Sequence, residues 1–304
     1  MKRVVLFLGT NLAVLLLLTA VVHVFGIDDY LARRGQNYVG LLIFAAIFGF
    51  GGAFISLAIS KWMAKRSMRV QVITEPRTEV ERWLVETVRR HAETAHIGMP
   101  EVGIFDSPTP NAFATGARKD AALVAVSTGL LRNMRREEVE AVLGHEVAHV
   151  ANGDMVTLTL IQGVLNTFVI FLARIIGGIV DNALRGNQNQ QGSGGYGIGY
   201  FATVFAAEMV LGLFASIIVA WFSRQREFRA DYGGAYLTSP RSMIGALEAL
   251  KRTHSPKPLP QQFANFGING GIAHGLQKLF MSHPPLEERI AALEKNDSAL
   301  TQVR

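Results

Sequence analysis

Residues 142–155 read VLGHEVAHVANGDM. His145 and His149 stand four apart with Glu146 beside the first, and a long apolar run begins directly afterwards at Met155. On an α-helix residues four apart share a face, so both imidazoles can reach one ion while Glu146, rotated by about 100°, sits beside it. At the His and Glu frequencies of this chain, a chance H-E-x-x-H is expected in about one in a hundred such sequences, so the pattern points to a metal-binding helix of the zincin kind. The competing reading is an ordinary buried helix, in which three polar side chains would need other partners.

The composition sets the surroundings. With 304 residues, 49% of them hydrophobic and only 18% charged, the chain is too apolar for an ordinary soluble globule. The net charge of +6 does not indicate nucleic acid, because the cations cluster beside apolar runs (Lys61, Lys65, Arg66, Arg69), as suits anionic lipid headgroups. There are no cysteines, which excludes disulfides and thiolate ligands, so any metal must use histidine and carboxylate.

Four apolar runs, about 4–26, 38–60, 155–180 and 199–222, are each long enough to cross a bilayer. They pair into two transmembrane helical hairpins. Lys2 and Arg3 precede the first span, Lys61 to Arg69 follow the second, and Arg224, Arg226 and Arg229 follow the fourth. The positive-inside rule therefore places residues 70–154 and 223–304 in the cytoplasm, with residues 1–69 and 155–222 as the membrane hairpins. Core helices of a soluble domain are the competing reading of the last two spans, and their length disfavours it. Within them, Arg174 and Glu208 fall within one helical turn of the same depth, so an ion pair is expected; snorkelling of Arg174 to the outer headgroups is the alternative.

The cytoplasmic segments read as α+β and mainly helical. PRTEVERWLVETVRRHAETAHIG (76–98) has Val80, Trp83, Leu84 and Val88 at helical spacing, with His91 and His96 taken as surface residues. EVGIFD, NAFATG and AALVAVS, separated by turn residues, predict a small sheet, and 241–252 and 286–296 predict two further helices.

A hydrolytic metal site needs three protein ligands and an open position. The metzincin extension would require Gly and His where this chain has Asn152 and Met155, so that class is excluded. Among the downstream carboxylates, Glu208 falls inside a span, whereas Glu227, in SRQREFRAD, lies just past it on the same side as the histidines and is the best candidate. Asp231, four residues on, can accept a hydrogen bond from a ligand histidine; a surface carboxylate or a salt bridge to Arg224 or Arg226 are the alternatives.

HEVAHVANGD, SRQREFRAD and SHPPLEERI together resemble the HtpX membrane heat-shock proteases, relatives of the zinc-dependent CAAX prenyl proteases, over nearly the whole chain. The resemblance implies a gluzincin fold with one Zn²⁺ per chain on His145, His149 and Glu227, Glu146 as general base and Asp231 behind the ligands. It also implies His283, in SHPP, as a donor to the oxyanion, and Asn111, in NAFATG, at a strand edge offered to the substrate backbone. Read from the residues alone, His283 could equally cap the helix begun by Pro284 or Pro285, and Asn111 could be a turn residue.

The resemblance further implies a membrane-integrated endopeptidase that cleaves misfolded or damaged membrane proteins under envelope stress, and with the charge pattern it places the catalytic domain on the cytoplasmic side of the inner membrane. Expected partners are unfolded or membrane-protein substrates, the bilayer and, as an option, further copies of the chain; nucleic acid is not expected. A non-catalytic metal-binding scaffold and a CAAX-type processing protease are the rival readings. An intact Glu146 disfavours the first, and too few spans to enclose a large membrane chamber disfavours the second.

Overall fold

The computed structural model describes His23 and residues 37–185, 197–253 and 283–302. The first predicted span, residues 186–196 between the third and fourth spans, and residues 254–282 lie outside the described residues. The chain divides into two compact units, one comprising Met1–Ile55 with Thr159–Val219, the other Ser56–Leu158 with Ala220–Arg304.

Among the described residues, three helices are long and apolar enough to cross a membrane. They are α1 (Tyr38–Ser67), α5 (Asp154–Arg185) and α6 (Ile198–Leu237). All three start within a residue of the predicted spans, but α1 and α6 run on past the predicted ends at 60 and 222. Nothing in SRQREFRAD breaks a helix: it holds no Gly or Pro, and its residues are good or acceptable helix formers. The candidate ligand Glu227 is therefore held on a helix rather than on a loop.

In the first unit, Leu42, Ala45, Phe171 and Ile175 form a buried cluster between α1 and α5. Arg174 Nη1 lies 3.1 Å from Glu208 Oε1, the pairing expected from their depths, and the guanidinium carbon also sits 4.8 Å from the centre of the Phe44 ring.

The second unit is α+β. Its other elements are β1 (Gln71–Val72), α2 (Glu79–Thr94), β2 (Glu101–Phe105), β3 (Ala112–Thr115), β4 (Leu123–Ser127), α3 (Thr128–Asn133), α4 (Arg136–Asn152), α7 (Pro240–Thr253) and α8 (Leu286–Gln302). The strands form one mixed sheet in the order β1-β2-β4-β3. β2 and β4 pair in parallel, Glu101 opposite Leu123, while β3 runs antiparallel to β4, Ala112 opposite Val126. The central β4 is buried along its whole length, which explains its unbroken apolar reading, and β3 is left at an edge.

Helices α2, α4 and α7 pack around one core with Leu84, Val88, Leu143, Val147 and Leu247 among its buried members. Thr78 starts α2 with a capping box closed by Glu81. His91 corrects its sequence reading as a surface residue: it is buried on the same helical stripe as Leu84 and Val88, and its Nε2 lies 3.2 Å from the carbonyl of Glu140, to which it donates. Its polarity hid it in a stripe otherwise read from apolar residues. His96 is exposed, as expected.

Candidate metal centre

Helix α4 carries both histidines of the opening motif and ends at Gly153, whose left-handed φ of 69° suits glycine far better than a residue with a Cβ. That turn folds the chain straight into α5, and its first residue, Asp154, reaches back to α4: Asp154 Oδ2 lies 2.6 Å from His149 Nδ1. Helix α6 brings the third group. Its approach to α4 is very close, since a Cβ on Gly233 would sit 2.5 Å from the Ala148 Cβ. Gly233 and Gly234, which follow Tyr232 in DYGG, thus let Glu227 and Asp231 lie against the histidine helix.

One ligand atom each from His145, His149 and Glu227 lies within 4.8 Å of the others, and among the described residues no other group of three His, Cys, Asp or Glu does so. The two Nε2 atoms face each other at 3.1 Å, and the Glu227 oxygens stand 3.6 Å from that of His145 and 3.4 Å from that of His149. Both Nδ1 atoms turn away toward carboxylates, His145 to Asp231 at 2.9 Å and His149 to Asp154 at 2.6 Å. This leaves each neutral imidazole with its lone pair on Nε2, pointed at the common centre. Two imidazole nitrogens and a carboxylate oxygen converging in a buried site fit a divalent metal.

The electrostatics follow from the packing. Burial opposes charge on His149, but the Asp154 carboxylate, then Glu227 and Glu146, outweigh it and push its pKa up to about 10. His145 is likewise raised, against burial, by Asp231 and Glu227. Burial also opposes charge on Glu227, yet the surrounding histidines hold its carboxyl far below the usual range. Asp231 is lowered against burial by Arg289 first and His145 second.

Arg289, from α8, makes a two-pronged contact with Asp231, its Nε donating to Oδ2 at 2.7 Å and its Nη2 to Oδ1. Its Nη1 also lies 3.4 Å from Glu227 Oε2. His283 Nδ1 lies 2.9 Å from the same Glu227 oxygen, with its side chain 64% exposed. The carbonyl of Pro285, not His283, accepts the first amides of α8.

These groups open onto a cleft of about 470 Å³ whose lining includes Asn111, Ala112, His145, Glu146, Glu227 and His283. Of the sequence-derived site residues, Asn111, His145, Glu146, Glu227 and His283 thus face one cavity, while His149 stands beside His145 and Asp231 directly behind it. The backbone of Asn111 faces inward, however: its N–H donates to Ser127 Oγ and its C=O accepts from Ser127 N–H. Because paired residues alternate along an antiparallel ladder, the N–H and C=O groups of Ala112 and Ala114 are the ones directed outward from β3.

The model of Peptidase family M48 matches residues 78–297, an interval that contains every one of these groups. The chain belongs to this family. Among its relatives, Protease HtpX of Thioalkalivibrio sulfidiphilus is 62% identical over 97% of this chain and 99% of its own. The Protease HtpX homolog of Thiobacillus denitrificans is 63% identical over 96% and 99%. The crystal structure of Ste24p from S. mikatae shares the fold, with a TM-score of 0.61 at 17% identity, covering 95% of this chain and 67% of that one. As an M48 peptidase of the HtpX type, the protein is a membrane metalloprotease, and the resemblance read from its three motifs extends over nearly its full length.

Two M48 site neighbours escaped sequence reasoning. Asp154 stands within the quoted opening stretch, and the NGD sequence, a left-handed turn followed by a carboxylate, was its signal. Arg289 had none beyond its place in SHPPLEERI, since its partner Asp231 is 58 residues away.

Proposed function

We propose that this M48 peptidase is a zinc endopeptidase that hydrolyses unfolded or damaged membrane proteins at the cytoplasmic face of the inner membrane. The observation that carries the chemistry is the convergence of His145, His149 and Glu227, two of which, His145 and Glu227, line one cleft with Glu146 and the start of the edge strand β3. An all-nitrogen-and-oxygen donor set of three, with the cleft on the open side, suits catalytic zinc. When bound, zinc supplies Lewis acidity, polarising the scissile carbonyl and making water acidic enough to deprotonate near neutrality.

The protein's own residues do the rest. Asp154 and Asp231 hold the histidines in the tautomer that keeps Nε2 free to bind. Glu146, on the cleft wall beside His145, takes the proton of the attacking water and returns it to the leaving amine. His283, exposed at the cleft mouth, donates to the oxyanion that develops on the substrate. The substrate strand lies along β3, meeting the outward N–H and C=O groups of Ala112 and Ala114 and the exposed side chain of Asn111. Residues 70–154 and 223–304 make up the catalytic part and 1–69 and 155–222 the membrane hairpins; the basic residues flanking the spans support a cytoplasmic placement.

Elemental analysis with casein cleavage by purified wild type and Glu146→Gln tests this reading. The expected result is one zinc per chain in both proteins, chelator-sensitive cleavage by wild type, and a loss of roughly 10²-fold or more in Glu146→Gln. Full activity in that variant overturns the assignment.

A further inference from the structure

One wall of the cleft is a loop, Ser107–Asn111, that contains Pro108 and Pro110 and so lacks two backbone donors. Its remaining polar groups are gathered by the junction between β4 and α3. The Ser127 hydroxyl is fully buried and makes three hydrogen bonds: it donates to Thr109 O at 2.9 Å and accepts from Asn111 N at 2.9 Å and Leu130 N at 3.0 Å. That is the full capacity of a hydroxyl, one proton given and two lone pairs used.

The backbone continues the same seam. Ser127 N–H donates to Asn111 O at 2.8 Å, and Gly129 N–H donates to Ser107 O at 2.8 Å. A Cβ on Gly129 would meet Pro108 O at 2.2 Å, so the loop rests directly on the first turn of α3. Asn111 and Ser127 stand one step beyond the last pair of the β3–β4 ladder, Ala112 opposite Val126, at a position where each amide of an antiparallel pair would ordinarily donate to the opposite carbonyl. Because Ser127 is the N-cap of α3, its carbonyl is turned into that helix, and the hydroxyl takes the Asn111 amide instead.

We infer that Ser127 is a positioning residue for proteolysis: its buried hydroxyl anchors the start of β3, so that the outward groups of Ala112 and Ala114 hold a substrate strand in register with Glu146. This rests on the endopeptidase reading proposed above. A residue acting only through stability would impair short and long substrates alike. A register anchor acts on substrates long enough to lie along β3.

The test compares two fluorogenic peptides with the same scissile bond, one reaching along all four residues of β3 and one ending before Ala112, cleaved by zinc-loaded wild type and Ser127→Ala. For the long peptide, Ser127→Ala is expected to raise KM roughly tenfold with kcat changed less than about threefold, the signature of lost binding common to ground and transition states. For the short peptide KM is unchanged, and zinc content is equal in both proteins. Should Ser127→Ala not accumulate folded, Ser127→Cys, nearly the same size with weaker hydrogen bonds, is measured in its place and shows a smaller rise confined to the long peptide. An unchanged KM for the long peptide, or an equal loss on both peptides, overturns the inference. Absence of Glu146-dependent cleavage of either peptide by wild type would instead defeat the endopeptidase reading, a separable outcome.

Discussion

His149 Nδ1 stands 2.6 Å from Asp154 Oδ2, across the boundary between α4 and α5. The contact joins the last turn of the motif helix to the first residue of an apolar helix, with only the left-handed turn at Gly153 between them. A carboxylate at this position orients the imidazole and raises its basicity, so its loss is felt at the metal. Asp154→Asn is expected to weaken zinc binding by about 10–100-fold. Competition with a chromophoric chelator measures this, and kcat should recover at saturating zinc. Unaltered affinity would show that the contact does not orient the ligand.

Arg289 and Asp231 form a second such device, both nearly inaccessible to solvent. Breaking one half of a buried pair strands the other charge, at a cost of about 3–5 kcal/mol. Arg289→Met should therefore lower unfolding stability in detergent by that order, and Asp231→Asn added to it should restore part of the loss. A double variant no more stable than Arg289→Met alone would contradict this account.

How far the sequence could be read follows from the range of the forces involved. The α4 motif, the three described apolar helices and the strands β2 to β4 are set by short-range periodicity, and each was legible. Glu227 could be singled out as the best candidate because, unlike Glu208, it lies just past a span on the side of the histidines. The partners of the ligands were harder, because Arg289 meets Asp231 through the packing of α8 on the site, which no spacing encodes. His91 was misread for the same reason: whether a polar residue on an apolar stripe is buried depends on what packs there. The outward backbone groups of Ala112 and Ala114 needed the β3–β4 register, which NAFATG alone does not give.

His91 also gives a pH dependence. Burial, followed by the charge of Arg90, lowers its pKa below the ordinary 6.5 despite the raising effect of the Glu140 carbonyl and carboxylate. The unfolded chain therefore binds the proton more readily than the folded one. Its contribution to stability is full above about 6.5 and is lost as pH falls from there through the lowered folded value. His91→Gln removes the titration and keeps an amide able to reach the Glu140 carbonyl. Its melting temperature in detergent should fall less between neutral and mildly acidic pH than that of wild type. Parallel curves would exclude His91 as a source of the acid sensitivity.

In the membrane unit, Arg174 is held by three groups at once: Glu208 Oε1 at 3.1 Å, the Ile170 carbonyl at 3.2 Å and the face of the Phe44 ring. Charges in a bilayer persist where they pair, and these partners link α5 to both α1 and α6. A double-mutant cycle of Arg174→Gln and Glu208→Gln, read as unfolding stability in detergent, should give a coupling on the order of 1 kcal/mol, within the range found for polar contacts between membrane helices. Arg174→Gln alone should cost more than Glu208→Gln, because it also gives up the Phe44 face, and Phe44→Leu should narrow that difference. Strictly additive single effects would mean that Arg174 and Glu208 are neighbours without being partners, and the registry of α5 against α6 would then rest on apolar packing alone.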